Sequence, residues 1–188
     1  LRDLAKFLDG EEPMKAIHHE SAAFSPVALP SITVDLDEIR GQSNAKRAME
    51  IAAVGRHNVL LIGPPGCGKT MLARALADLL PPLERAEAIE RQTIRAAAGL
   101  PFEVEGFHRP PFRSPHHTCS PAALVGGGSS PRPGEVSLAH HGVLMLDELP
   151  EFSKASIDAL REPLEDGVVT ISRVAGCTRF PARSIVVG

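Results

Sequence analysis

Two short stretches carry residue types whose spacing could do chemistry. The first is Gly63-Pro64-Pro65-Gly66-Cys67-Gly68-Lys69-Thr70, which fits the spacing G-x-x-x-x-G-K-[ST] of a phosphate loop. Glycines let backbone N–H groups converge on phosphate oxygens without side-chain obstruction. A helix starting there adds unpaired N–H groups and a positive dipole end. Lys69 would bring a full charge to the β- and γ-phosphates, and Thr70 a hydroxyl to Mg²⁺. The second stretch is Asp147-Glu148, two acids directly after an apolar run. In an open α/β sheet, ligands bind beyond the carboxyl ends of the strands, so Asp147 is expected beside the phosphate loop, holding Mg²⁺ directly or through water. Glu148 is expected to act as general base on the attacking water. The plainer alternatives are a pair of surface acids at a strand end, or a Glu148 that only caps a neighbouring helix.

The flanking elements supply the context these residues need. Val59–Ile62 and Val143–Leu146 are four-residue apolar runs, each read as a buried strand. A helix is expected over Lys69–Leu80, with Leu72, Ala75, Leu76, Leu79 and Leu80 as its apolar stripe and Pro81-Pro82 as its stop. Further helices are expected over Asn44–Val54, with Gly55 as C-cap, and over Glu84–Ala98. Pro110–Thr118 holds a short extended piece, and Ala122–Val125 and Glu135–His140 are short helices around a glycine-rich turn at Gly126–Gly134. Ser153 is an N-cap for a helix carrying Ile157, Leu160 and Leu164, which Pro163 should kink or end. Val168–Arg173 and Thr178–Phe180 form a β-hairpin, and Ser184–Val187 another buried strand. Residues 1–33 are read as the end of a preceding element plus a linker arm punctuated by prolines, and residues 34–188 as one nucleotide-binding domain.

Composition limits the alternatives. At 188 residues, 43% hydrophobic and 23% charged, the chain is ordinary for a soluble globular domain. No apolar run approaches the ~20 residues of a membrane helix, so no membrane contact is expected. Three cysteines without C-x-x-C spacing suit reduced thiols in the cytoplasm. The net charge of −3 means that any nucleic-acid contact must be local. The chain opens on Leu1 rather than Met, which reads as a piece of something longer.

Several blocks together resemble one group. They are Asp37-Glu38-Ile39-Arg40-Gly41-Gln42, the phosphate loop, Pro111–Thr118, Gly134–Leu149 and Arg179–Arg183. In these the chain resembles the magnesium-chelatase-like AAA+ ATPases, and most closely the bacterial competence protein M family, also called YifB. The resemblance implies an αβα P-loop sandwich with a mainly parallel sheet, ATP and Mg²⁺ as cofactors, and a hexameric ring powering DNA branch migration during recombination or natural transformation. Ile39, Gly41 and Gln42 would line the adenine end of the nucleotide. Two hairpins would project into the ring channel, with Arg132 and Arg173 near their tips meeting branched or single-stranded DNA. The alternative within the same group is the motor subunit of a magnesium chelatase, inserting Mg²⁺ into protoporphyrin. Against the family pattern, the chain stops before the sheet's last strand, the polar residue that orients water and the helical lid. Weak nucleotide binding and poor hydrolysis are therefore expected of these residues alone.

Two further signals are set aside. The pairs His18-His19, His116-His117 and His140-His141 invite a metal site, but adjacent side chains diverge on a strand or a helix, so one pair should not converge on one atom. Cys67 in the phosphate loop could be a redox switch; a small residue tolerated at a variable loop position is the simpler reading.

Overall fold

A computed structural model describes residues 34–104, 106–128, 131–173 and 176–188. The expected arm at 1–33 lies outside the described residues. The helices are α1 (Ser43–Gly55), α2 (Lys69–Leu79), α3 (Arg85–Ala97), α4 (Pro121–Val125), α5 (Glu135–Leu138), α6 (Lys154–Ala159) and α7 (Arg161–Asp166). The strands are β1 (Phe112–Arg113), β2 (Gly126–Gly127), β3 (Arg132–Pro133), β4 (Val143–Met145), β5 (Val168–Arg173), β6 (Gly176–Pro181) and β7 (Ile185–Val187).

The main sheet runs β1-β4-β7, all parallel, in the register Phe112↔Val143 and Val143↔Ile185. The segment before the phosphate loop extends it: Val59 bridges Val187 in parallel, with Val59 N–H donating to Val186 O at 2.9 Å and Leu61 N–H to Gly188 O at 2.8 Å. Parallel pairing sets the ends of all four chain segments at one edge of the sheet, so the phosphate loop and Asp147 emerge together. Alternation along β4 supplies both layers. Val143 and Met145 pack with Met49, Leu72 and Leu76 from α1 and α2. Leu144 and Leu146 pack with Leu124, Leu160, Val169 and Phe180 on the other side. This is an α/β fold with a parallel sheet covered on both faces, which is why β4 reads as a continuous apolar run.

Four expectations on the elements need correction. The run Val59–Ile62 is not buried throughout: Leu60 is 63% and Ile62 90% exposed. Only one edge of this segment is paired among the described residues, so its outward side chains have nothing to pack against. The left-handed residue closing α1 is Arg56, at φ 50°, and Gly55 is the last helical residue. The stripe on α2 is complete except at Leu79, which is 38% exposed. The helix after Ser153 is two helices, broken at Leu160 rather than at Pro163. A proline ring clashes with the carbonyl four residues earlier, so Pro163 acts on Ala159, where α6 ends. Among the described residues no helix is long and apolar enough to cross a membrane.

Candidate functional site

The phosphate loop leaves the sheet at Gly63 and enters α2 at Lys69. Gly66 and Gly68 take φ of 77° and 89°, the left-handed region that side chains resist. At Gly63 a Cβ would lie 2.9 Å from Cys67 Sγ, so the start of the loop is also closed to larger residues. Lys69 Nζ folds back over the loop, donating to Gly63 O at 2.9 Å and to Pro64 O at 3.2 Å. The ammonium is thereby held over the concavity of the loop. Thr70, one residue into the helix, donates its hydroxyl to Asp147 Oδ2 at 3.2 Å. A cavity of about 900 Å³ runs along this edge, lined by Gly63, Gly66, Gly68, Lys69, Thr70, Asp147 and Glu148 among others. Its donors are oxygen and ammonium groups, and the paired hydroxyl and carboxylate are the oxygen ligands a small hard cation such as Mg²⁺ takes.

Glu148 sits at φ 55°, left-handed for a residue with a Cβ. Its N–H donates to Asp147 Oδ1 at 3.0 Å, and the short 3₁₀ turn Leu149–Glu151 starts from it. Its side chain meets His117, whose Nδ1 lies 3.0 Å from Glu148 Oε2. Sequence reading did not find this partner; no spacing rule links a histidine after β1 to an acid after β4.

On the other flank, Ile39 is buried in the core beside α1. Gly41 and Gln42 follow at φ 69° and 57°. The Gln42 side-chain amide donates to the Cys67 carbonyl. The segment 39–42 therefore lies directly against the phosphate loop. Cys67 is half-buried. Arg132 is exposed on β3, paired through its backbone with Gly127 in a small antiparallel hairpin. Arg173 ends β5 opposite Gly176, and its side chain lies outside the described residues.

The expectation that adjacent histidines diverge fails at His140-His141. Their rings stack with centroids 3.8 Å apart, and both Nε2 atoms face Glu90 Oε2, at 3.2 Å and 3.1 Å. The cause is His141 at φ 63°, which swings its side chain onto the same side as its neighbour. The three residues are close enough to suggest a metal site. The tautomer argues otherwise. Arg183 N–H donates to His140 Nδ1 at 3.0 Å, so the neutral ring carries its proton on Nε2 and gives it to Glu90. A ring in that state has no lone pair for a metal at Nε2. The cluster is instead a clip between α3, the turn that leads into β4 and the approach to β7.

Burial is the main reason the His140 pKa falls to about 4, helped by the neighbouring His141 and Arg183 charges and opposed by Glu90. Glu90 is in turn held below the usual carboxylate range by its bonds from His141 and His140. Above the unfolded value near 6.5, His140 is neutral in both states and its contribution is fully present. As pH falls from 6.5 towards 4, only the unfolded chain takes up the proton, and the contribution is lost, on the order of 3 kcal/mol in all. Urea unfolding at pH 7, 5.5 and 4.5 should show this decline. His140→Gln should be less stable at pH 7 and flatter across that window.

Comparison with known proteins agrees with this arrangement. Residues 35–188 match the family described as magnesium chelatase, subunit ChlI. YifB of Escherichia coli is 52% identical over 183 residues, covering 97% of this chain and 35% of that protein. The competence protein ComM of Haemophilus influenzae is 47% identical over 187 residues, covering 97% of this chain and 36% of that protein. The chain thus spans about a third of the length of these curated relatives. Among solved structures, the complex of magnesium chelatase subunits BchI and BchD matches at 25% identity and TM-score 0.55, over 77% of this chain and 50% of that one. NtrX of Brucella abortus, solved with ADP, matches at 22% identity and TM-score 0.51, over 78% of this chain and 29% of that one.

Proposed function

The chain belongs to the magnesium chelatase ChlI family, and from that membership we propose that residues 34–188 are the AAA+ core that binds and hydrolyses ATP for a DNA motor. The observation that carries the reading is the meeting of Thr70 with Asp147 at the mouth of the glycine loop. Two segments far apart in sequence converge there on the place where a triphosphate and its metal would sit.

In this reading the β- and γ-phosphates lie in the cradle of Gly63, Pro64, Pro65, Gly66, Cys67 and Gly68, under the Lys69 ammonium. Ile39, Gly41 and Gln42 take the adenine end. Thr70 and Asp147 would hold Mg²⁺, which when bound neutralises charge building on the β- and γ-oxygens. Glu148 accepts a proton from water as the water oxygen attacks the γ-phosphorus. The bond from that phosphorus to the β–γ bridging oxygen breaks, and ADP leaves with the electron pair, releasing inorganic phosphate. His117 holds the Glu148 carboxylate until substrate arrives, limiting idle turnover.

The energy is used on DNA by a cytoplasmic hexameric ring. Kinship with a protein named for competence supports the DNA reading. So does the exposed Arg132, on a hairpin where a local positive charge can meet a phosphate backbone. Arg173 is assigned the same role from the second hairpin. The second reading, a chelatase motor, is favoured by the structural likeness to the BchI–BchD complex. ATPase rates with and without branched DNA, across a salt range, separate the two. A several-fold stimulation that fades with salt is expected. No response to any DNA, with stimulation by a porphyrin-binding partner, would hand the protein to the chelatase reading.

A further inference from the structure

A second concavity lies away from the phosphate loop and shares no lining residue with it. It encloses about 310 Å³ between α2, α3, the entry to β1 and α5. Five guanidinium groups line it: Arg74 from α2, Arg91 and Arg95 from α3, and Arg109 and Arg113 at β1. Asp78 takes Arg109 at 2.7 Å. Glu103 takes Arg91 at 2.5 Å and Arg95 at 3.2 Å. Glu135, from α5, takes Arg113 through two bonds of 2.6 and 2.7 Å. Arg74 stacks over the Phe112 ring at 5.0 Å, and no carboxylate pairs with it among the described residues. Among the described residues five guanidinium groups meet three carboxylates, so the hollow carries more positive than negative charge, within a chain whose net charge is −3.

The cluster does not satisfy itself. Arg91 is only 6% exposed. Its Nε and that of Arg95 are enclosed without an acceptor among the described residues. Burial first, and then the Arg95 and Arg109 charges, pull the Arg91 guanidinium below its ordinary value despite Glu103. A fold gains nothing by crowding like charges in one hollow. A ligand that supplies negative charge and paired oxygens to the open guanidinium edges offsets that cost. Arginine at all five positions, with no lysine, suits the planar fork that grips phosphate oxygens two at a time. A phosphate monoester or free phosphate carries close to two negative charges near pH 7, where a carboxylate carries one, so it neutralises more of a cationic lining.

We propose that this arginine-lined hollow is an oxyanion site for a doubly charged phosphate group, separate from the phosphate loop. Arg74 and Arg95 are its recognition residues, since the first has no carboxylate partner among the described residues and the second shares one. The site is independent of the ATPase reading.

The test uses the Lys69→Ala chain, in which the phosphate loop is disabled. Its melting temperature is compared in inorganic phosphate and in chloride at equal ionic strength. At ten times Kd, phosphate should raise it by ~4 °C. Arg74→Gln and Arg95→Gln should each lose most of that increment. In chloride alone Arg74→Gln should melt within about 2 °C of its parent, because the lost stacking on Phe112 offsets the lost repulsion. Should Arg95→Gln fail to fold, Arg74→Gln, exposed on α2, decides the matter alone. A short oligonucleotide with and without a 5′-phosphate then distinguishes the source. Stabilisation only by inorganic phosphate assigns the free anion, and stabilisation also by the 5′-phosphorylated strand assigns a monoester on a larger molecule; either upholds the site. No increment with phosphate, or an increment unchanged in Arg74→Gln, overturns it.

Discussion

In the full-length protein Lys69→Ala is expected to weaken ATP binding at least about 100-fold, while the melting temperature in the absence of nucleotide moves little. The ammonium is now committed to two carbonyls of its own loop, Gly63 O and Pro64 O. Those acceptors are exposed and can turn to water, so their loss costs the fold well under ~1 kcal/mol. Binding is a different matter. A charge-assisted bond to phosphate is worth ~1.5–3 kcal/mol, and alanine leaves the polyphosphate charge facing only neutral N–H groups. Two such bonds lost is a factor of a hundred or more. Calorimetric titration with ATP and Mg²⁺ checks the first half, and a melting curve the second. A Lys69→Ala chain that bound ATP as tightly as its parent would remove the loop from the site.

That loop was legible in the sequence because its signal is local. Glycines at fixed offsets, a lysine, a threonine, an apolar run before and an amphipathic stripe after are all contained between Val59 and Leu80. The convergence of Thr70 on Asp147 was legible at one remove: parallel strands put their carboxyl ends on one edge, so an acid ending a buried run must arrive beside the loop. Burial of β4 followed from the four unbroken apolar residues Val143–Leu146. The same pattern at Val59–Ile62 misled, since a run of apolar side chains does not say whether a strand has neighbours on both edges, and Ile62 is 90% exposed.

Other features were hidden for a backbone reason. Gln42, Arg56, His141 and Glu148 all have positive φ without being glycine. Nothing in residue type announces that, yet it brings His141 alongside His140 and aims Glu148 at His117. The arginine hollow was half legible: Arg91 and Arg95 stand one turn apart on α3. Arg109 and Arg113 join them only because β1 pairs with β4 at the sheet edge, a long-range fact. Pro163 was a true signal whose effect falls one turn upstream, at the α6–α7 break.

In the full-length protein Glu148→Gln is expected to bind ATP and to hydrolyse it about 10²- to 10⁴-fold more slowly, the range that a general base contributes. The substitution keeps the size of the side chain. It also keeps the Glu148 N–H bond to Asp147 Oδ1, which is a backbone bond, so the strained turn into Leu149–Glu151 should persist. What changes is charge and proton affinity alone: an amide oxygen beside the γ-phosphate does not take a proton from water. His117→Ala separates the roles further. It frees the Glu148 carboxylate from its 3.0 Å partner without removing it, so hydrolysis should change by about tenfold at most and not collapse. Single-turnover hydrolysis of labelled ATP, with filter binding on the same samples, reads both quantities. If Glu148→Gln turned over normally and His117→Ala did not, the base would have to be sought at the histidine. That outcome would reverse the two roles while leaving the loop and Asp147 where they are. The geometry favours the first assignment, because Glu148 follows the β4 end that delivers Asp147, whereas His117 meets the site at Glu148.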